Sequence, residues 1–134
     1  MAKKITKVLI IDDDPVVLEG LATRFINEGF EVVRAVDGKG GLEQALAERP
    51  DMIVLDILMP VMDGMAMLGE LRKDKWGNEA KVVVLTKQGY YQNLSSATTY
   101  GILGYIVKSE NLNYDEVVAT VKKYLTPTEK ISTT

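Results

Sequence analysis

Val8-Leu9-Ile10-Ile11-Asp12-Asp13-Asp14-Pro15 joins an unbroken apolar run to three carboxylates and a proline. A strand with one face in water alternates apolar and polar residues, whereas a continuous run needs cover on both faces, as in a parallel sheet. Four further runs follow at regular intervals, at residues 30–35, 52–55, 82–85 and 102–107, most of them short and rich in β-branched residues. The segments between them are of helix length. Val17, Leu18, Leu21, Phe25 and Ile26 recur at helical spacing, with Asp14-Pro15 as a start signal and Gly29 as a stop. Gly38, Gly40 and Gly41 weaken the start of a second helix, for which Leu42, Ala45 and Leu46 supply a stripe and Pro50 a limit. Asp63 caps a third, faced by Met67, Leu68 and Leu71, and residues 73–78 form a polar connection to the fourth run. Residues 90–100 predict a weakly amphipathic fourth helix, and Val117, Val118, Val121 and Leu125 mark a fifth that carries Lys122 and Lys123 near its end. Strands alternating with helices predict an α/β chain with a doubly wound, five-stranded parallel sheet and right-handed crossovers. Residues 1–125 are expected to form one domain, and residues 126–134 a polar tail or the start of a linker.

Composition narrows the chemistry. The chain has no cysteine and no histidine, which removes disulfides, thiolate zinc sites, cysteine nucleophiles and histidine bases. Carboxylates, hydroxyls and lysines remain. A net charge of −3 argues against a nucleic-acid surface, which needs clustered Lys and Arg, so no direct nucleic-acid contact is expected. The basic opening runs straight into a short apolar strand, too brief for a signal peptide or membrane span, and the expected location is cytoplasmic with no membrane contact.

In a doubly wound sheet, ligands bind beyond the carboxyl ends of the strands. There this sequence places Asp12 and Asp13, Asp56, Thr86 and Lys108. With the first, third and fourth strands as neighbours, three carboxylates face one another. At about 4 Å and an effective dielectric near 20, each like-charge pair costs roughly 4 kcal/mol, so the cluster needs protons or a cation. Magnesium suits it: a hard ion that takes a few carboxylates and leaves positions for phosphate oxygens. A carboxylate in such a setting is a nucleophile for phosphoryl transfer, and Asp56 is the best placed, standing alone after Met52-Ile53-Val54-Leu55. A hydroxyl from Thr86 and the ammonium of Lys108 then serve the phosphoryl oxygens. Taken singly, these residues also have plain readings. The aspartate triplet before Pro15 reads first as a strand-to-helix turn, Thr86 as a strand residue and Lys108 as a snorkelling edge lysine. Met59, Met62, Met65 and Met67 read as packing around the third helix, and Tyr90, Tyr91 and Tyr100 lean toward a partner surface.

Together, Val8 through Pro15, Asp56 through Pro60 to Asp63-Gly64, Val84-Leu85-Thr86 and Gly104-Tyr105-Ile106-Val107-Lys108 resemble a response-regulator receiver domain of two-component, chemotaxis-regulator-like signalling. The likeness spans nearly the whole chain. It implies a flavodoxin-like (βα)5 fold with strand order 2-1-3-4-5. It further implies that Asp12 and Asp13 hold Mg2+ with Asp56 and the Leu58 carbonyl, and that Asp56 accepts phosphate from a histidine kinase or phosphotransferase. Thr86 and Lys108 would bind the phosphoryl group. Thr86 and Tyr105 would act as the switch, altering a face made by the fourth helix, fifth strand and fifth helix for a downstream protein target, an output domain or a homodimer. Such a protein is a phosphoacceptor switch, with at most self-phosphorylation and self-dephosphorylation activity.

Three residues depart from the family pattern. Ser109 follows Lys108 where a proline with a cis bond is usual, Lys87 follows Thr86 where a small residue is common, and Ile102 follows Gly101 where alanine is common. Lys87 and Ser109 recommend one alternative, a degenerate receiver that docks or dimerises without phosphorylation. Asp12-x-Asp14 also resembles the nucleophile motif of haloacid-dehalogenase-type phosphatases, a weaker alternative because Asp56 stands where that family needs Ser or Thr. A flavodoxin-like electron carrier fits poorly, since three aspartates would repel the phosphate its first loop must cradle.

Overall fold

A computed structural model of the 134-residue chain describes residues 5–87 and 99–125. Five parallel strands, β1 (Lys7–Ile11), β2 (Glu31–Ala35), β3 (Met52–Asp56), β4 (Val82–Lys87) and β5 (Gly104–Lys108), form one sheet in the order β2-β1-β3-β4-β5. The doubly wound five-stranded sheet and its order follow the sequence reading. Every residue of β3 is buried, as an apolar run at the centre of a parallel sheet requires.

Helices cover both faces. Helix α1 (Pro15–Asn27) and the C-terminal helix (Tyr114–Leu125) pack Leu18, Leu21, Phe25, Val117, Val118 and Val121 against Val8, Ile10, Met52, Val54, Val83 and Leu85. Helices α2 (Gly38–Glu48) and α3 (Gly64–Leu71) cover the other face, where Ala45, Met67, Leu68 and Leu71 meet Leu9, Ile11, Ile53, Leu55, Val82 and Val84. Met59, Met62 and Met65 border this second cluster, in keeping with a packing role. The predicted fourth helix falls almost wholly on residues 88–98, and the predicted tail on residues 126–134, outside the described residues.

The caps are those the sequence announces. Asp14 accepts the Val16 N–H at 2.9 Å and Asp63 the Ala66 N–H at 2.8 Å, each supplying an acceptor to a helix end that lacks one. Helix α2 differs from expectation. It starts at Gly38, with Asp37 accepting the Gly40 N–H at 2.7 Å, and Leu46 lies exposed while Gly38 and Gly41 are buried. A Cβ on Gly38 would stand 2.0 Å from the Met62 carbonyl oxygen, and one on Gly41 would stand 2.6 Å from Ile11. The glycines that weaken this helix in isolation are what let it approach the sheet and the loop before α3.

The connection after α3 holds a 3-10 turn (Gly77–Glu79) and a residue the sequence did not single out. The Arg72 guanidinium donates to the carbonyls of Gly77 at 2.6 Å, Tyr100 at 2.7 Å, Ala80 at 2.9 Å and Gly101 at 3.2 Å. It ties the end of α3 to both the turn before β4 and the segment that leads into β5.

Candidate functional site

The expected residues converge at the carboxyl end of the sheet. Ile11 pairs with Leu55 in register, so Asp12 and Asp56 emerge side by side, and Asp56 pairs with Leu85 on its other flank. Asp12 is fully buried, and Asp56 and Thr86 are 2% and 5% exposed. Asp12, Asp13 and Asp56 each offer a carboxylate oxygen, and these lie within 4.8 Å of one another. Across them reaches Lys108, whose Nζ donates to Asp12 Oδ1 at 2.9 Å and to Asp56 Oδ2 at 3.2 Å. No cis peptide bond occurs among the described residues, so Lys108 reaches both carboxylates through an ordinary trans link to Ser109.

Local backbone holds the carboxylates in place. Asp12 Oδ1 also accepts the Asp14 N–H at 2.8 Å, and Asp56 Oδ1 accepts the Leu58 N–H at 3.3 Å. The Gly64 N–H donates to the Ile57 carbonyl at 2.8 Å, and a Cβ on Gly64 would stand 2.6 Å from the Asp56 carbonyl oxygen. A glycine at the start of α3 therefore lets that helix press against the strand end that carries Asp56. The sequence marks Gly64 only as part of a motif, because this close approach is a property of the tertiary structure.

Electrostatics follow from burial. Desolvation pushes Asp56 up to about 7, with the Asp12 charge adding to the rise and Lys108 opposing it. Burial likewise raises Asp12, against the pull of the Asp14 N–H and Lys108. For Lys108, burial acts downward, and its hydrogen bond to Asp12 and the charges of Asp56 and Asp12 outweigh it, so the ammonium is raised. Asp12 Oδ2 is buried and has no hydrogen-bond partner among the described residues. An unpartnered buried carboxylate oxygen is costly, and a hard divalent cation is the partner that this all-oxygen cluster fits. Leu58, whose carbonyl the sequence reading adds to the ligands, lies two residues beyond Asp56 and is half-buried.

The plain reading of the aspartate triplet holds for one of its members: Asp14 is the α1 cap, while Asp12 and Asp13 join the cluster. The Thr86 hydroxyl donates to the Lys87 carbonyl at 3.4 Å. Tyr105 pairs with Val84 in register and so shares the α2/α3 face of the sheet with Thr86, where Tyr105 is 51% exposed and Val107 is also exposed. Tyr90 and Tyr91 lie outside the described residues.

Residues 8–122 match the family model described as the response regulator receiver domain. The chain belongs to that family. Receiver domains are signalling switches of two-component systems rather than enzymes in the usual sense. Phosphorylation and magnesium binding in the active site are typical of them. Family membership displaces the phosphatase and electron-carrier alternatives. The curated relatives include the transcriptional regulatory protein PrrA of Mycobacterium tuberculosis, 40% identical over 119 residues that cover 89% of this chain and 49% of PrrA. Another is the DNA-binding dual master transcriptional regulator RpaA of Synechocystis sp., 32% identical over 125 residues that cover 93% of this chain and 51% of RpaA. The chain thus spans about half the length of these relatives. Their names lend no support to the expected absence of nucleic-acid contact. Among solved structures, a response regulator from Chloroflexus aurantiacus J-10-fl, described as putative, superposes with a TM-score of 0.82 at 30% identity, covering 91% of this chain and 98% of that one. CheY in the CheX-CheY-BeF3-Mg+2 complex from Borrelia burgdorferi gives 0.81 at 27% identity, covering 91% of this chain and 90% of the other. Among the described residues no helix is long and apolar enough to cross a membrane.

Proposed function

We propose that this receiver domain is a phosphorylation switch that takes a phosphoryl group onto Asp56 from a histidine kinase or phosphotransferase. The observation that carries this reading is the Asp12–Asp13–Asp56 cluster, in which Asp12 and Asp56 are buried and clasped by Lys108 and Asp13 is exposed, with one Asp12 oxygen left without a partner among the described residues. Asp12, Asp13, Asp56 and the Leu58 carbonyl would hold a magnesium ion, which would supply positive charge against the phosphoryl oxygens. An Asp56 carboxylate oxygen forms the bond to phosphorus as the P–N bond of a phosphohistidine breaks, and its electron pair stays on the imidazole nitrogen. Lys108 stays protonated throughout and moves from the Asp56 carboxylate to a phosphoryl oxygen, matching charge as it arrives. Thr86 donates its hydroxyl to another phosphoryl oxygen. On the same face of the sheet, exposed Tyr105 follows that hydroxyl inward and reshapes the surface of β5 and the C-terminal helix.

That surface is offered to a downstream protein, an output domain or a second copy of this chain. Residues 1–125 form the switch, residues 126–134 a tail or linker, and the protein works in the cytoplasm with no direct nucleic-acid contact of this domain's own. The degenerate docking module gains nothing from Ser109, since Lys108 reaches both carboxylates without the proline.

Intact-mass spectrometry after incubation with acetyl phosphate tests the chemistry, with and without Mg2+, on wild type and Asp56→Asn. A phosphate adduct that requires both Mg2+ and Asp56 is expected. A folded, magnesium-binding protein that forms no adduct would return the reading to the docking module.

A further inference from the structure

Lys87, which follows Thr86 where the family commonly has a small residue, has a defined place in this sheet. The β4–β5 register pairs Lys87 with Lys108, and registered neighbours in a parallel sheet face the same way. Val83 and Leu85 of β4 and Ile106 of β5 belong to the cluster beneath α1 and the C-terminal helix, so both lysines leave the sheet on that side. Val8 and Ile10 of β1 and Met52 and Val54 of β3 belong to the same cluster, and Asp12 and Asp56 continue their alternation. Thr86 points the other way, with Val82 and Val84. The two cations differ in their commitments. Lys108 is held by Asp12 and Asp56, whereas Lys87 is exposed and makes no ion pair with a described residue. Together with Asp14, Val17, Ser109 and Asn111 they line an open cavity of about 750 Å³ beside the carboxylate cluster.

A bound divalent cation would match the charge in the cluster before a donor arrives. With one such cation bound, three aspartates would oppose it and Lys108, three negative charges against three positive. An incoming phosphoryl group brings about −1.5 to −2 more. Lys87 leaves the sheet on the face that carries Asp56, lines the same cavity as Lys108, and has no ion pair with a described residue. We propose that Lys87 is a phosphodonor-binding residue that holds the anionic oxygens of the incoming phosphoryl compound at the mouth of this cavity before transfer, while Lys108 is still paired with the carboxylates and turns to the phosphoryl group only as it reaches Asp56. This rests on Asp56 being the phosphoacceptor. With acetyl phosphate, an Asp56 oxygen bonds to phosphorus as the bridging P–O bond breaks, and the electron pair departs with acetate. Lys87 keeps its proton throughout.

Rates of phosphorylation with acetyl phosphate and with phosphoramidate, in which phosphorus is bound to nitrogen, test this on wild type, Lys87→Ala and Lys87→Arg. At low salt, Lys87→Ala is expected to be about 5- to 10-fold slower with either donor, and Lys87→Arg to return to within about two-fold of wild type. The wild-type advantage is expected to shrink to about two-fold or less near 0.5 M salt, a dependence that a purely structural role would not produce. Calorimetric Mg2+ affinity and the urea midpoint of Lys87→Ala are expected to stay close to wild type. Wild-type phosphorylation with an unchanged Lys87→Ala rate overturns this proposal alone. So does a loss confined to acetyl phosphate, which would put Lys87 on the leaving group, or a failure of Lys87→Arg to recover. Absence of any wild-type adduct overturns the phosphoacceptor reading and this proposal with it.

Discussion

Replacing Asp56 with asparagine is expected to make the metal-free protein more stable, by an amount that grows with pH. Asp56 is 2% exposed and titrates near 7, against an ordinary value of 3.8, chiefly because burial disfavours its charge and Asp12 adds repulsion. Between those two values the folded chain keeps a proton that the unfolded chain has lost, so stability falls as pH rises and the loss is complete above about 7. Going from about pH 5 to about pH 8 crosses roughly two units of this window, which amounts to about 3 kcal/mol. Asp12, also raised by burial, adds a loss of the same sign. Lys108 is raised above its ordinary 10.5, so its contribution is fully present throughout this range and adds no slope. Asp56→Asn keeps the shape and removes the charge, so its advantage over wild type is expected to be about 3 kcal/mol larger at the higher pH. Urea unfolding in EDTA, followed by the fluorescence of Trp76, the chain's one tryptophan, measures this directly. Saturating Mg2+ should flatten the wild-type profile, since the cation binds the ionised carboxylates. An advantage equal at both pH values, or a metal-free wild type that gains stability as pH rises, would refute the assignment of the burden to Asp56.

Other parts of the molecule carry their own expectations. Val61 is a β-branched residue at φ 69°, 79% exposed, in the loop between Asp56 and α3. Val61→Asn, which tolerates that backbone, should raise stability by about 1 kcal/mol, read as a shift in the urea midpoint without a change in slope. Gly38→Ala places an atom 2.0 Å from the Met62 carbonyl oxygen, and it should cost more than about 2 kcal/mol although alanine is the better helix former by about 1. A neutral result would mean that the loop before α3 gives way freely. Arg72→Ala leaves carbonyls of the turn before β4 and the segment before β5 without their donor, for an expected loss of roughly 2–3 kcal/mol in thermal or urea unfolding.

Much of this was legible in the sequence because it is written in local pattern. Unbroken apolar runs such as Met52-Ile53-Val54-Leu55 announce strands covered on both faces, and Asp14-Pro15 and Asp63-Gly64 announce helix starts through short-range chemistry. Placing Asp12, Asp56, Thr86 and Lys108 at strand ends required only strand direction and adjacency, which parallel crossovers constrain. The sequence by itself thus determined the class of fold, the strand order through the family likeness, and which polar side chains share one end of the sheet.

Tertiary structure alone decided the rest, because it depends on distances between segments remote in the chain. Gly38 and Gly41 read as helix weakeners until the Met62 carbonyl and Ile11 are seen to occupy the space a side chain would need. Arg72 reads as one charge in a polar stretch until four carbonyls from either side of β4 converge on it. Ser109 leaves the aim of Lys108 open until its ammonium is found between Asp12 and Asp56. Lys87 acquires a direction only from the β4–β5 register, which sets it beside Lys108 and opposite Thr86, since side chains on a strand take their face from pairing and not from neighbours in sequence.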